Sequence, residues 1–588
     1  MNDRQFGARL TADGGSFRLW APAAKRVDLL LEKSHPMRPA GDGWFSADIT
    51  GVKGGARYQF RIDDEIDVPD PASAFQPEDI SGPSEVIDHA SYRWRASGWR
   101  GRPWHETILV ETHVGTFTRE GSYRAMIDKL DHLVATGITA LELMPLADFS
   151  GRRNWGYDGV LWYAPDSVYG RPDDLKLLID EAHLRGLMVF LDVVYNHFGP
   201  EGNYLGRYAP EFFTEAQTPW GSAIDYRVQQ VRAFAIENAL YWLREYRFDG
   251  LRLDAVHAIP EQGEISMLHD LSVAAGKLAA ETGRHVHLVL ENDDNVASLL
   301  DPEQDPPQGK YRAQWNDDYH HAWHVLLTTE THGYYSDYQH APLRDIARAL
   351  GSGFVYQGEA SAHRDGQLRG EPSGKLPPTA FVNFLQNHDQ IGNRALGDRL
   401  EGTADPKAIE AALAITLLAP TIPMLFMGEE WGSRAPFPFF CDFHGDLAEA
   451  VRKGRQKEFA GAYEKYGDEV PDPLDLSTLQ STILDWPSRG EQAVHTRLKF
   501  VQQLLAIRRR EIIPRLVGAA FGDADAADNS LLTASWRMSD GAVLRLEANL
   551  SNSGIARPQS KPADAPIWGG EAGEMMPAWS VFWRLESR

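Results

Sequence analysis

A single cysteine, Cys441, stands among 588 residues. No intrachain disulfide can form, and one thiol outside any motif reads as a small buried side chain rather than a nucleophile. No stretch approaches the ~18 uninterrupted apolar residues of a membrane span. The opening MNDRQFGARLTADGG has no apolar core of the kind a secretory leader carries. Together these absences predict a cytoplasmic protein. Positive charge is also short: 59 Lys and Arg face 83 Asp and Glu, a net charge of −24. Such a chain repels phosphate backbones and anionic lipids, and no local basic patch offsets this. Neither nucleic acid nor membrane is expected as a partner. The chain also lacks a Gly-rich phosphate loop and an H-E-x-x-H zinc motif.

What is present is a large core: 43% of residues are apolar and 24% charged, ordinary values for a globular protein. The length exceeds one domain. Aromatic residues are plentiful, with 17 Trp and 20 Tyr. Their rings suit the C–H faces of sugars. Residues 1–95 read as an N-terminal β-sandwich, from short strand-like runs such as SFRLWAP and ARYQFRID between Gly- and Asp-rich turns. DVPDPASAFQPEDISGPSEV follows as an ordered linker.

From about residue 105 apolar strands alternate with amphipathic helices. Eight strand candidates start at Ile108, Ala140, Met188, Gly250, Val286, Ala313, Phe381 and Ile422. Between them, Leu175, Leu178, Ile179 and Ala182 follow a helical period, as do Val231, Phe234, Ala235, Asn238, Ala239 and Trp242. Eight β-then-α units predict an α/β fold, a (β/α)8 TIM barrel over residues 96–514. A short insertion (198–226) follows strand three and a longer one (430–495) follows strand eight. Residues 515–588 return to antiparallel β. In LRLEANLS, Leu544, Leu546, Ala548 and Leu550 alternate with polar residues.

In such a barrel, function sits at the C-terminal ends of the strands. Strand three ends in Asp192, with Asn196 and His197 just beyond. Strand four carries Arg252 and Asp254 on one face, strand five ends in Glu291, and strand seven runs into His388 and Asp389. Each has a plain structural reading: a loop cap, a surface carboxylate, a strand-end ion pair. Convergence favours function, because carboxylates gathered at one rim repel one another and cost stability. The position at the barrel mouth also predicts that neither Arg252 nor Asp254 is deeply buried. The histidines of DDYHHAWH (His320, His321 and His324) have a spacing that a metal could use, but a helix beside a glycan-facing loop is the simpler reading. No metal site is predicted.

Paired carboxylates beside Arg and His suit glycoside chemistry. A retaining glycosidase uses one ionised carboxylate as nucleophile and one carboxylic acid as proton donor. Asp254, with Arg252 two residues before it on the same face, fits the nucleophile. Glu291, at the mouth of an apolar strand, fits the acid. Asp389 is a third carboxylate, placed to hold hydroxyls and to stabilise positive charge.

DVVYNH (192–197), GLRLDAVH (250–257), LEND (290–293) and FLQNHDQ (384–390) resemble, in order, the four signature regions of the α-amylase family. The resemblance implies Asp254 as nucleophile, Glu291 as acid/base and Asp389 as transition-state stabiliser. It implies that Arg252, Asp192, His197 and His388 grip the sugar at the cleavage site, with Tyr157 of NWGYD stacked beneath it. FRLWAPAAKRVDLLL resembles the β-sandwich module that precedes the barrel in branching and debranching members. DPASAFQPEDISGPSEV, LENDDN and QWNDDYHHAWHVLLT resemble members that hydrolyse the α-1,4 bond joining trehalose to a malto-oligosyl chain. That branch implies malto-oligosyl-trehalose, an α-1,4-glucan, as substrate. It places His257 near the trehalose side. Asn316, Asp317, Asp318, Tyr319 and His320 are expected to line the cleft, together with Gln390 and Asn393. The short insertion after strand three leaves little room for a calcium-binding domain, so no cofactor is expected. Nothing signals an oligomer, and a monomer is the expectation. A glucan branching enzyme shares the triad and the N-terminal module and is the nearest rival. A non-catalytic glycan-binding protein on the same scaffold is the other.

Overall fold

A computed structural model describes residues 4–218, 221–259, 266–486, 492–527, 530–557, 565–570 and 573–586. Residues 219–220 and 487–491, within the two expected insertions, lie outside the described residues. The first seventy residues form two antiparallel sheets. One orders Gly7–Leu10, Gly14–Trp20, Trp44–Thr50 and Arg38–Pro39. The other orders Ser34–Pro36, Val27–Leu30, Arg57–Ile62 and Ile66–Val68, with Ser84–Glu85 pairing to Arg57–Ile62. Phe17, Leu19, Phe45, Val27, Leu29 and Phe60 alternate inward and share one core. The sandwich docks on the barrel through Phe6, whose ring meets Phe234 edge-on at 5.0 Å. The linker is ordered as expected, by Asp70, Ser73 and Gln76, which are buried and hydrogen-bonded locally. Its two ends, however, pair as strand residues.

Eight parallel strands then close a barrel, here β1 (Leu109–Thr112), β2 (Ala140–Leu143), β3 (Met188–Val193), β4 (Gly250–Leu253), β5 (His287–Leu290), β6 (Ala313–Trp315), β7 (Phe381–Asn383) and β8 (Ile422–Phe426). Every strand candidate lands in the barrel, and burial explains why: each strand is buried on both faces and so reads as a short apolar run. Pro172–Leu184 and Gln229–Glu245 are helices that bury the expected stripes.

Side chains alternate along a strand, so each inward column is readable. Leu109, Ala140, Met188, Phe190, Val289, Ala313 and Trp315 pack the lumen. In steps of two, the same columns go on to Glu111, Glu142, Asp192, Arg252, Asp254, Glu291 and Asp317. The lumen is therefore apolar below and charged above. Gly250 makes the lower layer possible: a Cβ there would sit 2.3 Å from the Phe190 ring, which fills the space instead. Trp104 plugs the bottom and donates Nε1–H to the Thr379 carbonyl at 2.8 Å.

The tail forms a five-stranded antiparallel sheet, in the order Ala520–Ala527, Leu531–Arg537, Val543–Asn549, Ser580–Glu586 and Ala565–Trp568. Trp583 leaves it to donate to the Ala414 carbonyl on the barrel helix Pro406–Leu418. Segment 329–380, after β6, adds the helix Pro342–Ser352 and a short hairpin, Glu359–Ala360 with Leu368–Arg369. The helix carries an amphipathic pattern with Pro at its start, whereas the two-residue strands of the hairpin have no strong sequence signal. No helix among the described residues is long and apolar enough to cross a membrane.

Candidate active site

Arg252 is the hub. Its Nη1 lies 2.7 Å from Asp192 Oδ2 and 2.7 Å from Asp254 Oδ1, and its Nη2 lies 3.2 Å from Glu291 Oε2 without hydrogen-bond alignment. Its Cζ sits 4.2 Å from the centre of the Trp315 ring. The expectation of a shallow pair is corrected here. Arg252 is fully buried, whereas Asp254 keeps 13% and Glu291 16% side-chain exposure. A buried guanidinium is tolerable because three carboxylates and a π face replace its water. The strand reading of GLRLDAV also shortens. β4 ends at Leu253, and Val256 belongs to a one-turn helix.

Asp254 follows β4 directly. Its Oδ1 accepts from Arg252, and its Oδ2 accepts from Asn196 Nδ2 at 2.8 Å. Burial pushes its pKa up, but Arg252, His197 and the Asn196 hydrogen bond together hold it below the usual carboxylate range. Ala255 then takes a left-handed conformation, φ 41°, which aims its N–H at Glu291 Oε2, 2.6 Å away. A non-glycine residue held there costs about 1–2 kcal/mol. Glu291 behaves oppositely to Asp254. Burial pushes its pKa well up, Asp254, Asp317 and Asp389 push it further, and Arg252 opposes them. Two carboxylates touching one guanidinium are thus pushed in opposite directions, Asp254 towards the ionised form and Glu291 towards the protonated form, which is the direction a nucleophile and an acid require.

A second wall of the site rises from the loop after β2 and from the segment after β7. Tyr157 Oη donates to Asp192 Oδ2 at 2.5 Å, and its ring stacks on His388 at 4.9 Å. Gly156 permits the turn that presents it: φ is +108°, and a Cβ would meet the Pro145 carbonyl at 2.2 Å. His197 bonds the Tyr157 carbonyl through Nε2 at 2.8 Å and Asn196 Oδ1 through Nδ1. Asp192 is pushed up to about 6 by burial, which Arg252 opposes. Asp389 is 39% exposed at the rim, 3.5 Å from His388 Nε2 and 3.4 Å from Asn393 Nδ2.

The remaining expectations divide. Asp317 faces the same carboxylates, and burial followed by Asp293 and Asp389 raises it to about 7. His257 is exposed and accepts the Asp293 N–H at 3.2 Å. Gln390 is 8% exposed and accepts from Tyr334 Oη at 3.0 Å, at the edge of the cleft. Asn316, Asp318, Tyr319 and His320 are turned into the protein. Asn316 bonds Gly353 and Asn383, Tyr319 bonds Thr416, and His320 bonds Leu385 and Tyr335. Asp318 accepts from Asn295, Tyr338, Val355 and Tyr356. Of NDDYH, only Asp317 reaches the cleft. The helix Asp317–Thr328 explains this: from Asp318 to Val325 it is buried on every side, and Asp317, its first residue, is left at the barrel mouth.

Sequence reasoning passed over three features. Glu111 and Glu142 sit on β1 and β2, each 1% exposed. Both carry the signal that singled out Arg252, a charge inside an apolar strand. Asp293 is clamped by Arg364 and Arg369 from the excursion after β6. Arg369 Nε donates to the Asp293 carbonyl at 2.7 Å and its Nη2 to Oδ1 at 2.9 Å. No local spacing foretells that pairing. Among the described residues no group of three or more His, Cys, Asp or Glu is arranged to hold a metal ion. His320 and His324 are occupied in stacking on Phe384 and Tyr335.

Residues 92–210 match the alpha-amylase catalytic-domain family, residues 5–74 match carbohydrate-binding module 48 (the isoamylase N-terminal domain), and residues 519–583 match a domain of unknown function. A malto-oligosyltrehalose trehalohydrolase of Deinococcus radiodurans is 41% identical over 502 residues, 85% of this chain and 81% of that protein. One from Rhizobium sp. (strain M-11) is 39% identical over 550 residues, 90% of each. The crystal structure of a Salmonella typhimurium protein described as a candidate alpha amylase superposes with a TM-score of 0.93 at 44% identity, over 99% of this chain and 100% of that one.

Proposed function

The chain belongs to the malto-oligosyltrehalose trehalohydrolases of the α-amylase family, and from that premise we propose how its site carries out the reaction. It is a glycoside hydrolase acting on malto-oligosyl-trehalose. The bond cleaved is the α-1,4 linkage next to the terminal trehalose, and the products are trehalose and a maltooligosaccharide. The branching-enzyme and non-catalytic readings lack such support.

Asp254 attacks the anomeric carbon while Glu291 gives its proton to the departing trehalose oxygen. The C–O bond to trehalose breaks as the C–O bond to Asp254 forms. Positive charge on the ring is met by Asp389 and by the ionised cluster around Arg252. Esterification then removes the negative charge of Asp254, which had helped keep Glu291 protonated. Arg252 at the same time loses a partner and bears more strongly on Glu291. Both changes lower the Glu291 pKa, so the spent acid becomes the base that takes a proton from water. Water adds to the face opposite the Asp254 ester, the face that trehalose left, and its C–O bond forms as the bond to Asp254 breaks, so two inversions retain the anomeric configuration.

The observation that carries this reading is the unequal hold of Arg252: a direct hydrogen bond to Asp254 and only an unaligned contact to Glu291. We place the protein in the cytoplasm as a monomer. The test is product analysis on malto-oligosyl-trehalose beside plain maltooligosaccharide, with the anomer read by NMR within the first turnovers. Free trehalose and an α-configured maltooligosaccharide are expected. Branched amylose without trehalose, or a β-anomer, would overturn the reading.

A further inference from the structure

Glu111 touches no sugar-facing surface, yet it spends both carboxylate oxygens on one residue. Oε1 pairs with His388 Nδ1, and Oε2 accepts the His388 backbone N–H at 3.0 Å. Both side chains are 1% exposed. The ring is boxed as well: Tyr157 stacks on one side at 4.9 Å, Trp155 meets it edge-on at 5.5 Å, and Trp315 lies at 6.1 Å. With Nδ1 committed to Glu111, only Nε2 is left to face Asp389, 3.5 Å away, and the sugar.

We infer that Glu111 is a positioning residue for glycoside cleavage: it fixes the orientation of His388 and keeps both ring nitrogens protonated, so that Nε2–H stays a donor at the cleavage site. This rests on the function proposed above. A carboxylate on Nδ1 requires a proton there. A neutral imidazole has only one proton, so a ring pinned through Nδ1–H presents a donor at Nε2 only when it is charged. The charge balance supports that state. Burial works against it, but Asp389 and Glu111 outweigh burial and raise His388 to about 9. The other groups bearing on the ring are Arg252 from β4, which opposes the charge, and Asp192 and Glu142, which gain from it. His113, beyond β1, is held neutral, at about 4, first by burial.

Glu142 sharpens the argument. It stands beside Glu111 in register, neither of its oxygens has a hydrogen-bond partner, and burial with Asp192 and Glu111 pushes its pKa well up. Glu142 makes no hydrogen bond to the ring, so Glu111 is the carboxylate that holds His388.

The experiment compares wild type, Glu111→Gln, Glu111→Asp and His388→Gln. Protein labelled with 13Cε1-histidine gives the His388 titration, identified by its loss in His388→Gln, and the pH profile of trehalose release gives the alkaline limb. Glu111→Gln keeps an acceptor for Nδ1–H but removes the charge. It is expected to lower the His388 midpoint by about one unit or more and to carry the alkaline limb down with it. Its kcat/KM should fall only slightly at pH 7, about twofold at pH 8 and about 10-fold above pH 9, and Glu111→Gln should add little in the His388→Gln background. Glu111→Asp, which restores the charge, should keep midpoint and limb near wild type. An unmoved His388 midpoint in Glu111→Gln overturns the inference, as does a lost rate with an unshifted limb, or Glu111→Asp behaving like Glu111→Gln. The titration needs no substrate, so a wild-type enzyme that released no trehalose would overturn the proposed function while leaving this result readable.

Discussion

Arg252 Nη1 lies 2.7 Å from Asp254 Oδ1, and the guanidinium that supplies it is fully buried. In the mechanism proposed above, this contact sets the charge of the nucleophile. Arg252→Lys shortens the fork, so one ammonium cannot reach Asp192, Asp254 and Glu291 together, and the stacking over Trp315 is lost. Asp254 is depressed by Arg252 against the effect of its burial, so weakening Arg252 raises it. A nucleophile with a higher pKa is ionised only at higher pH. The acid limb of kcat/KM should therefore move up, and kcat/KM at pH 7 should fall by about two to three orders of magnitude. An acid limb that stays in place would falsify the assignment of Arg252 as the group holding Asp254 ionised.

Glu291→Gln separates proton donation from folding. The amide keeps the size of the side chain and an oxygen for the Ala255 N–H. Turnover of malto-oligosyl-trehalose should drop by about 10²- to 10⁴-fold with an unchanged circular dichroism spectrum. A glycosyl fluoride needs no protonation to leave, so with that substrate the first step should be largely spared. Equal losses on both substrates count against Glu291 as the acid.

Covalent trapping addresses Asp254 itself. A fluorinated glycosyl fluoride slows breakdown of the ester more than its formation, so wild-type protein should gain the mass of one glycosyl unit on a peptide containing Asp254. Asp254→Asn should gain none. Label on another carboxylate means the nucleophile lies elsewhere.

The barrel was open to sequence reading because its strands are buried on both faces and write themselves as apolar runs. Strand ends carrying Asp192, Asp254, Glu291 and Asp389 broke those runs at one rim, and the same reasoning applied to Glu111 and Glu142 points to the layer beneath. What stayed hidden has a physical cause. The clamp of Arg364 and Arg369 on Asp293 joins residues more than seventy positions apart through a hairpin of two-residue strands, which has no periodicity to detect. The burial of Asn316, Asp318, Tyr319 and His320 was also out of reach. A run of polar residues reads as a surface until its packing is known, and here the helix is enclosed on every side from Asp318 onward, which leaves Asp317 at the cleft.

Asp317 and Asp318 test that packing, because the two neighbours should affect stability in opposite directions. Asp317 is raised to about 7, first by burial and then by Asp293 and Asp389, whereas an unfolded Asp titrates near about 3.9. Its ionised form is disfavoured in the folded state, so wild-type stability is lost as pH rises from about 4 through 7. Asp317→Asn removes that loss. Its melting midpoint should exceed wild type by a few degrees at pH 8, and the gain should shrink as pH falls towards about 4. Asp318 is fully buried and accepts hydrogen bonds from Tyr338 and from the Val355 and Tyr356 N–H groups, with Arg369 2.9 Å away. Asp318→Asn turns an NH2 group toward those donors and leaves Arg369 short of charge, at a cost of about 2–4 kcal/mol. Its midpoint should fall at every pH from 5 to 8. Thermal melts of the two variants across pH decide the matter: shifts of the same sign would mean that the two side chains share one environment, contrary to their placement on opposite sides of the cleft wall.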